Sequence, residues 1–265
     1  MHPHRTPARR GLAALMLSFA LVAGLAGGAR ADVDPLWDHY KVYEVTPSPG
    51  FAVPITLIDQ FGITSHNTQF LDMFANPVEK RHGTTVSPIH DPRLHYMWWK
   101  IEPEVVLNRD IIAVNQFGEQ SLHIDRAIYL LNPANKNLPI GAPLPDANHY
   151  KCYSCSGPPV LQPVTLIDQF YGRQAQVFAP RFFCTPVAKI FAGTEHPIRN
   201  PNQHYTVYDI DPGTPIWQAG PIQDQFIAVP QVQLTFDRLL VVPTEKVIPT
   251  PAAPSTWGRV KSQYR

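Results

Sequence analysis

The segment Pro54-Ile55-Thr56-Leu57-Ile58-Asp59-Gln60-Phe61 returns 109 residues later as Pro163-Val164-Thr165-Leu166-Ile167-Asp168-Gln169-Phe170. At the same offset, Asn76-Pro77-Val78-Glu79-Lys80 is answered by Thr185-Pro186-Val187-Ala188-Lys189. A shorter period lies inside this one. His-Tyr pairs begin at His39, His95, His149 and His204, 54 to 56 residues apart. Each is followed 21 or 22 residues later by the phenylalanine of an (Asp/Asn)-Gln-Phe triplet: Phe61, Phe117, Phe170 and Phe226. A proline turn and a lysine then close each unit, at Lys80, Lys136, Lys189 and Lys246. The body is therefore read as four repeats of about 55 residues, each a supersecondary block that needs its neighbours to bury its apolar face.

Each unit reads as three strands. The first carries the His-Tyr pair, the second ends at Gln-Phe (Ile55 to Phe61 in the first unit), and the third precedes the proline turn (Phe70 to Phe74). Side chains alternate with period two, so Tyr43, Trp99, Tyr153 and Tyr208 share the face of the histidines. The opposite face carries the tyrosines of the pairs and Val42, Trp98, Cys152 and Val207. Both faces being apolar, the strand belongs to a sandwich or barrel interior. With 29 prolines in 265 residues a helical protein is excluded, because each interior proline costs a helix about 3 kcal/mol. The expected class is all-β.

Units one and three resemble each other more than their neighbours. That favours two tandem β-sandwich or barrel-like domains, residues 32–137 and 146–246, joined by a Pro-rich linker at 138–145. One closed ring of four units is the alternative.

Alignment of the units also interprets the three cysteines. Cys152 falls where the other copies have Val42, Trp98 and Val207, and Cys184 is matched to Ala75, Leu131 and Val242. Paired replacement within one copy predicts a contact, hence a Cys152–Cys184 disulfide. Cys155 matches Val45, Ile101 and Ile210 and is expected to be a buried free thiol.

Two polar sets recur. His39, His95, His149 and His204 would form a metal centre if the four units faced one axis; otherwise each caps its strand and bonds a backbone carbonyl. Asp59, Asp168 and Asp224, with Asn115 in the remaining copy, suit turn amides better than strict acid–base chemistry, since Asn is accepted. Asp209-Ile210-Asp211-Pro212-Gly213 begins like a calcium loop but has no distal Glu. Ser65, His66 and Asp72 can be drawn as a triad, and Trp37, Trp98, Trp99 and Trp217 as a sugar-stacking platform, though adjacent Trp98 and Trp99 point to opposite faces. No nucleophile elbow, zinc-protease helix or phosphate-binding glycine loop is present, and no cofactor is expected.

The ends differ from the body. Arg5, Arg9 and Arg10, an apolar run from Gly11 to Gly28, and Ala29-Arg30-Ala31 read as a signal peptide over residues 1–31. Residues 247–265 read as a flexible Pro-rich basic tail. The formal charge of +1 is thus an average: between these ends lie 15 basic and 21 acidic residues. An acidic body without a basic run gives no support to a nucleic-acid partner. No second long apolar run predicts a transmembrane helix.

The His149-Tyr150-Lys151-Cys152-Tyr153 opening, the Pro163 to Phe170 strand and the Cys184-Thr185-Pro186-Val187-Ala188-Lys189 closing resemble an uncharacterised tandem-repeat domain family of exported bacterial proteins. The resemblance covers residues 38–246 and is closest in unit three, where the family pattern carries both cysteines. It implies no activity. The expectation is a non-catalytic exported module, periplasmic or secreted, that binds a surface polysaccharide or an envelope protein or serves structurally there. An enzyme or metal-binding protein using the repeated His and Asp residues is the alternative.

Overall fold

The computed structural model describes residues 36–247; the expected signal peptide at 1–31 and all of the expected tail except Val247 lie outside the described residues. Each His-Tyr pair opens a short strand: β1 (His39–Thr46), β5 (His95–Glu102), β8 (His149–Ser156) and β12 (His204–Ile210). The second strands are β2 (Pro54–Asp59), β6 (Val106–Asn115), β9 (Gln162–Ile167) and β13 (Gln218–Gln223). Third strands are long: β3 (Gly62–His82), β7 (Gly118–Lys136), β10 (Gly172–Phe191) and β14 (Ala228–Val247). Short returns, β4 (Thr85–Ser87) and β11 (Thr194–His196), fold back on β3 and β10. The described residues are all-β.

The pairing follows the ring. Every His-Tyr strand lies antiparallel to the long strand of its own unit, as β1–β3, β5–β7, β8–β10 and β12–β14. Its other edge meets the long strand of the preceding unit, as β3–β5, β7–β8, β10–β12 and β14–β1. These eight pairings close on themselves, and all 14 strands belong to one sheet. The division at residues 137 and 146 is therefore not a break in hydrogen bonding. Leu138 to Pro145 is not a free linker either: Gly141 N donates to Gln223 Oε1 at 2.8 Å, and Gln223 Nε2 donates to the Ala142 carbonyl at 2.9 Å.

Each long strand has register shifts where it meets the next unit, between Thr68 and Met73, Ile124 and Tyr129, Val177 and Phe182, and Leu234 and Leu239. Bulges bend a strand and increase its twist. Beyond the bend, the front half of each long strand forms a hairpin with its own second strand. The second strand then pairs with the far end of the long strand two units away: β2 with β10, β9 with β3, β6 with β14 and β13 with β7.

Two expectations need correction. Pro77, Pro133, Pro186 and Pro243 are not turns but lie inside the long strands. Each sits beyond the last pair with the following unit, as Ala75↔Tyr96 ends the ladder beside Pro77, so its missing N–H is tolerated at a ladder end. The strand position matching Cys184 is Val241, not Val242, since Val207 pairs with Val241 as Cys152 pairs with Cys184.

Inside the ring, Tyr40, Tyr96, Tyr150 and Tyr205 pack edge to face in a cycle, with centroids 5.2, 5.6, 5.0 and 6.0 Å apart. Below them lie Val42, Trp98, Val207 and the Cys152–Cys184 disulfide. Such ring pairs add about 0.5–1.5 kcal/mol each beyond area burial. The interior is a packed core. A second core, containing Tyr43, Trp99 and Tyr153, lies between the outer face of the ring and the hairpins.

Candidate functional site

The repeated landmarks meet at four junctions. In every Asp/Asn-Gln-Phe triplet the side chain of the first residue accepts the N–H of the phenylalanine two residues on, at 2.8–3.0 Å. This is an Asx turn, and it leaves the second side-chain atom free to reach another unit. Tyr153 OH donates to Asp59 at 2.7 Å, Tyr43 OH to Asp168 at 2.5 Å, and Trp99 Nε1 to Asp224 at 2.7 Å. Asn115 Nδ2 donates to Tyr208 OH at 2.8 Å. In each case the two partners lie two units apart. The phenylalanine rings pack against the same four aromatics.

The lysines that close the units lie over the phenylalanines of the next unit. Their Nζ atoms stand 4.9, 4.3, 4.6 and 5.2 Å from the rings of Phe117, Phe170, Phe226 and Phe61. Burial pushes the Lys80 ammonium down to about 7 and that of Lys136 to about 8.

A second pair of lysines explains the Asp/Asn exchange. Lys151 Nζ lies 3.1 Å from Asp59, and Lys41 Nζ lies 3.4 Å from Asp168, with all four side chains at most 1% exposed. Units one and three thus exchange Lys and Asp reciprocally. Facing Asn115 at the equivalent strand position is Thr206, and no charge is needed. Opposite Asp224 the position is Met97; here burial pushes the carboxyl up, and Asn132 bridges it to Lys189. The match of Lys to Asp and Thr to Asn, two units apart, is legible in the aligned sequence and was missed. Around Lys41 the network widens: Tyr171 OH donates to Asp237 at 2.6 Å and Arg173 Nε to the same carboxylate at 3.0 Å. Gly213 lies over it, because a Cβ there would stand 1.8 Å from Asp237 Oδ1. Lys41, Asp168 and Asp237 are fully buried there, with Arg173 partly exposed at the rim.

The four metal candidates go to separate junctions. Gln116 Nε2 meets His39 Nε2 at 2.8 Å, and Gln60 Nε2 meets His204 Nε2 at 3.1 Å. Those imidazoles accept, so their proton is on Nδ1; in His204 that atom lies 2.9 Å from the Asn202 carbonyl. Burial pushes His95 down to about 3 and His204 to about 4, and His39 and His149 fall well below the usual range for the same cause. Among the described residues no group of three or more His, Cys, Asp or Glu side chains is placed to hold a metal ion.

Other candidates are separated or already bonded. His66 is held by the Pro103 carbonyl and Thr64, whereas Asp72 accepts from Tyr129 OH, so no triad forms. Asp209 pairs with Arg181 and Asp211 with Arg173, in place of a calcium ion. Trp98 and Trp99 are both fully buried, which removes them from any sugar platform; Trp217 is exposed. Cys155 is free but only half-buried, a correction to its expected place deep in the core, and burial raises its thiol to about 12.

Two junctions depart from the pattern: opposite His95, Gln169 donates instead to Asn76 at 2.9 Å, and the junction at His149 differs further. At His149 the corresponding amide, Gln225 Nε2, is buried and has no partner, and the His149 ring packs at 5.5 Å against His196. Beside them a cavity of about 180 Å³ opens.

These features define a class: an all-β repeat protein whose units lock into a closed ring of strand pairings. The chain belongs to a family described as a repeat of unknown function (DUF7450), whose model matches residues 95–243. Comparison with curated proteins and with solved structures returned no match.

Proposed function

We propose that the chain is a non-catalytic module, exported to the periplasm or beyond, that binds a surface polysaccharide or an envelope protein or serves as a structural part of the envelope. The observation that carries this reading is the use of the repeated polar residues. Each Asx carboxylate or amide, and three of the four glutamines, is spent on a partner within the fold. Repetition of the landmarks is then a requirement of assembly, and catalysis need not be invoked. The Cys152–Cys184 disulfide supports an oxidising compartment, as does the leader-like start of the sequence. Cell fractionation, followed by co-sedimentation of the purified protein with isolated envelope polysaccharide and protein, tests the reading. The protein is expected outside the cytoplasm and in the pellet. Recovery in the cytoplasm, or a stoichiometric transition metal lost in His149→Ala, would overturn it.

A further inference from the structure

At the junction of His149 with Gln225 the repeated glutamine is left without a partner. Gln60 and Gln116 meet a histidine, and Gln169 donates to Asn76 at 2.9 Å. Gln225 Nε2, a buried atom of a half-buried side chain, donates to nothing. A buried amide donor without an acceptor carries its full desolvation cost, so the site calls for an oxygen from outside the fold. The adjoining cavity of about 180 Å³ is too large for one water, whose share of liquid volume is about 30 Å³. Its walls supply two chemistries. Pro133, Leu144, Pro145 and Pro197 make an apolar lining, while Gln225, His149, His196 and Arg199 bring polar groups to it.

The charges around the cavity favour an anion. Burial above all, and then the neighbouring Lys189 and Arg199, hold the protonated forms of His149 and His196 down, so the two rings are neutral and Arg199 is the cation at the cavity wall. Asp146 also lines the cavity, but it is exposed and paired with Arg199 at 2.7 Å. Asp224, beneath, is occupied by Trp99, Asn132 and two backbone N–H groups. A bound carboxylate oxygen would accept from Gln225 and lie toward Arg199, and its hydrocarbon part would cover the prolines. Among the four repeated glutamines, Gln225 is the one whose side-chain amide nitrogen is buried without a partner, and it lines the cavity directly.

We propose that the cavity between His149, His196 and Gln225 binds a small carboxylate with an apolar body of about the size of benzoate. The site goes beyond the envelope-module reading and does not depend on it, since a scaffold and a binding module would both present the cavity. Titration of the full chain with sodium benzoate and with benzamide, followed by NMR of the Gln225 side-chain amide and the two histidine rings, tests the proposal. Saturable shifts are expected with benzoate, with benzamide at least about tenfold weaker. Gln225→Leu removes the donor and Gln225→Glu adds a repelling charge; both should abolish binding, and Arg199→Gln should weaken it by about tenfold. Gln116→Leu, at an unmodified junction, should leave binding unchanged. Arg199 is half exposed, so its variant keeps the test valid even if a Gln225 variant fails to fold. Absence of saturable shifts, equal binding of benzamide, or undiminished binding in Gln225→Glu and Arg199→Gln would each overturn the proposal.

Discussion

Replacing Lys151 by methionine should expose the cost of the buried ion pairs. The ammonium lies 3.1 Å from Asp59, with both side chains within 1% of full burial. At an effective dielectric of about 20, a pair at this distance attracts by roughly 5 kcal/mol before desolvation is counted. Removing one partner leaves the other charge buried, which costs about 3–5 kcal/mol. Asp59 would keep only the Tyr153 hydroxyl and the Phe61 N–H. Lys151→Met should therefore lose about 3–5 kcal/mol in urea unfolding, with the slope unchanged. Adding Asp59→Asn should restore stability to within about 1 kcal/mol of the parent, since neutral buried substitutes are often tolerated. The molecule already holds both pieces of that neutral arrangement. Met97 occupies the lysine position in the second unit, and Asn115 donates to Tyr208 where Asp59 would accept from Tyr153. A coupling energy below about 0.5 kcal/mol, meaning that the two substitutions simply add, would refute the reasoning.

Three further outcomes are expected. Cys152→Val with Cys184→Ala copies the Val42–Ala75 pair of the first unit and should cost about 3–4 kcal/mol by loss of a cross-link spanning 32 residues; thiol counting of the parent should find one free thiol in the native state and three after reduction. Lys80, held near 7 in the folded state against about 10.4 unfolded, is protonated only in the unfolded chain between those limits. Stability should therefore rise from about pH 7 to pH 9, by up to about 1.4 kcal/mol per unit from this group, and Lys80→Met should flatten the rise in urea melts at the two pH values. Gly213→Ala should destabilise by about 1–3 kcal/mol in thermal unfolding, because its Cβ meets Asp237 at 1.8 Å and Tyr171 at 2.2 Å; an unchanged melting temperature would show that the covering segment moves aside.

Strands, unit boundaries and the disulfide were legible in the sequence because they depend on local alternation and on residues that repeat. Cys152 and Cys184 betrayed their contact by changing together in one copy. Closure was not legible. It depends on pairs such as Tyr40↔Val241, some 200 residues apart, and on bulges that have no fixed residue type. The prolines misled for a related reason: whether a proline ends a strand depends on whether a neighbour needs its N–H, and only the sheet shows that. The histidine and Asx sets were visible as repeats, but their partners come from the preceding and the opposite unit. Spacing alone could not tell four separate junctions from one metal centre. The odd junction at Gln225 was hidden more deeply, since Gln225 is identical in type to the other three glutamines.

Because β14 is the strand that joins the ring to β1 and also receives β6, β12 and β13, every earlier length of chain has at least those edges bare. Among the described strands, the ring therefore cannot lock until β14 is available to pair with β1. Until that moment the chain remains a threadable polymer; afterwards, opening the ring anywhere means breaking pairings on both sides of a unit. The same geometry predicts that a new start between units, with the old ends spliced, would preserve the ring, whereas a half-length fragment would not stand alone.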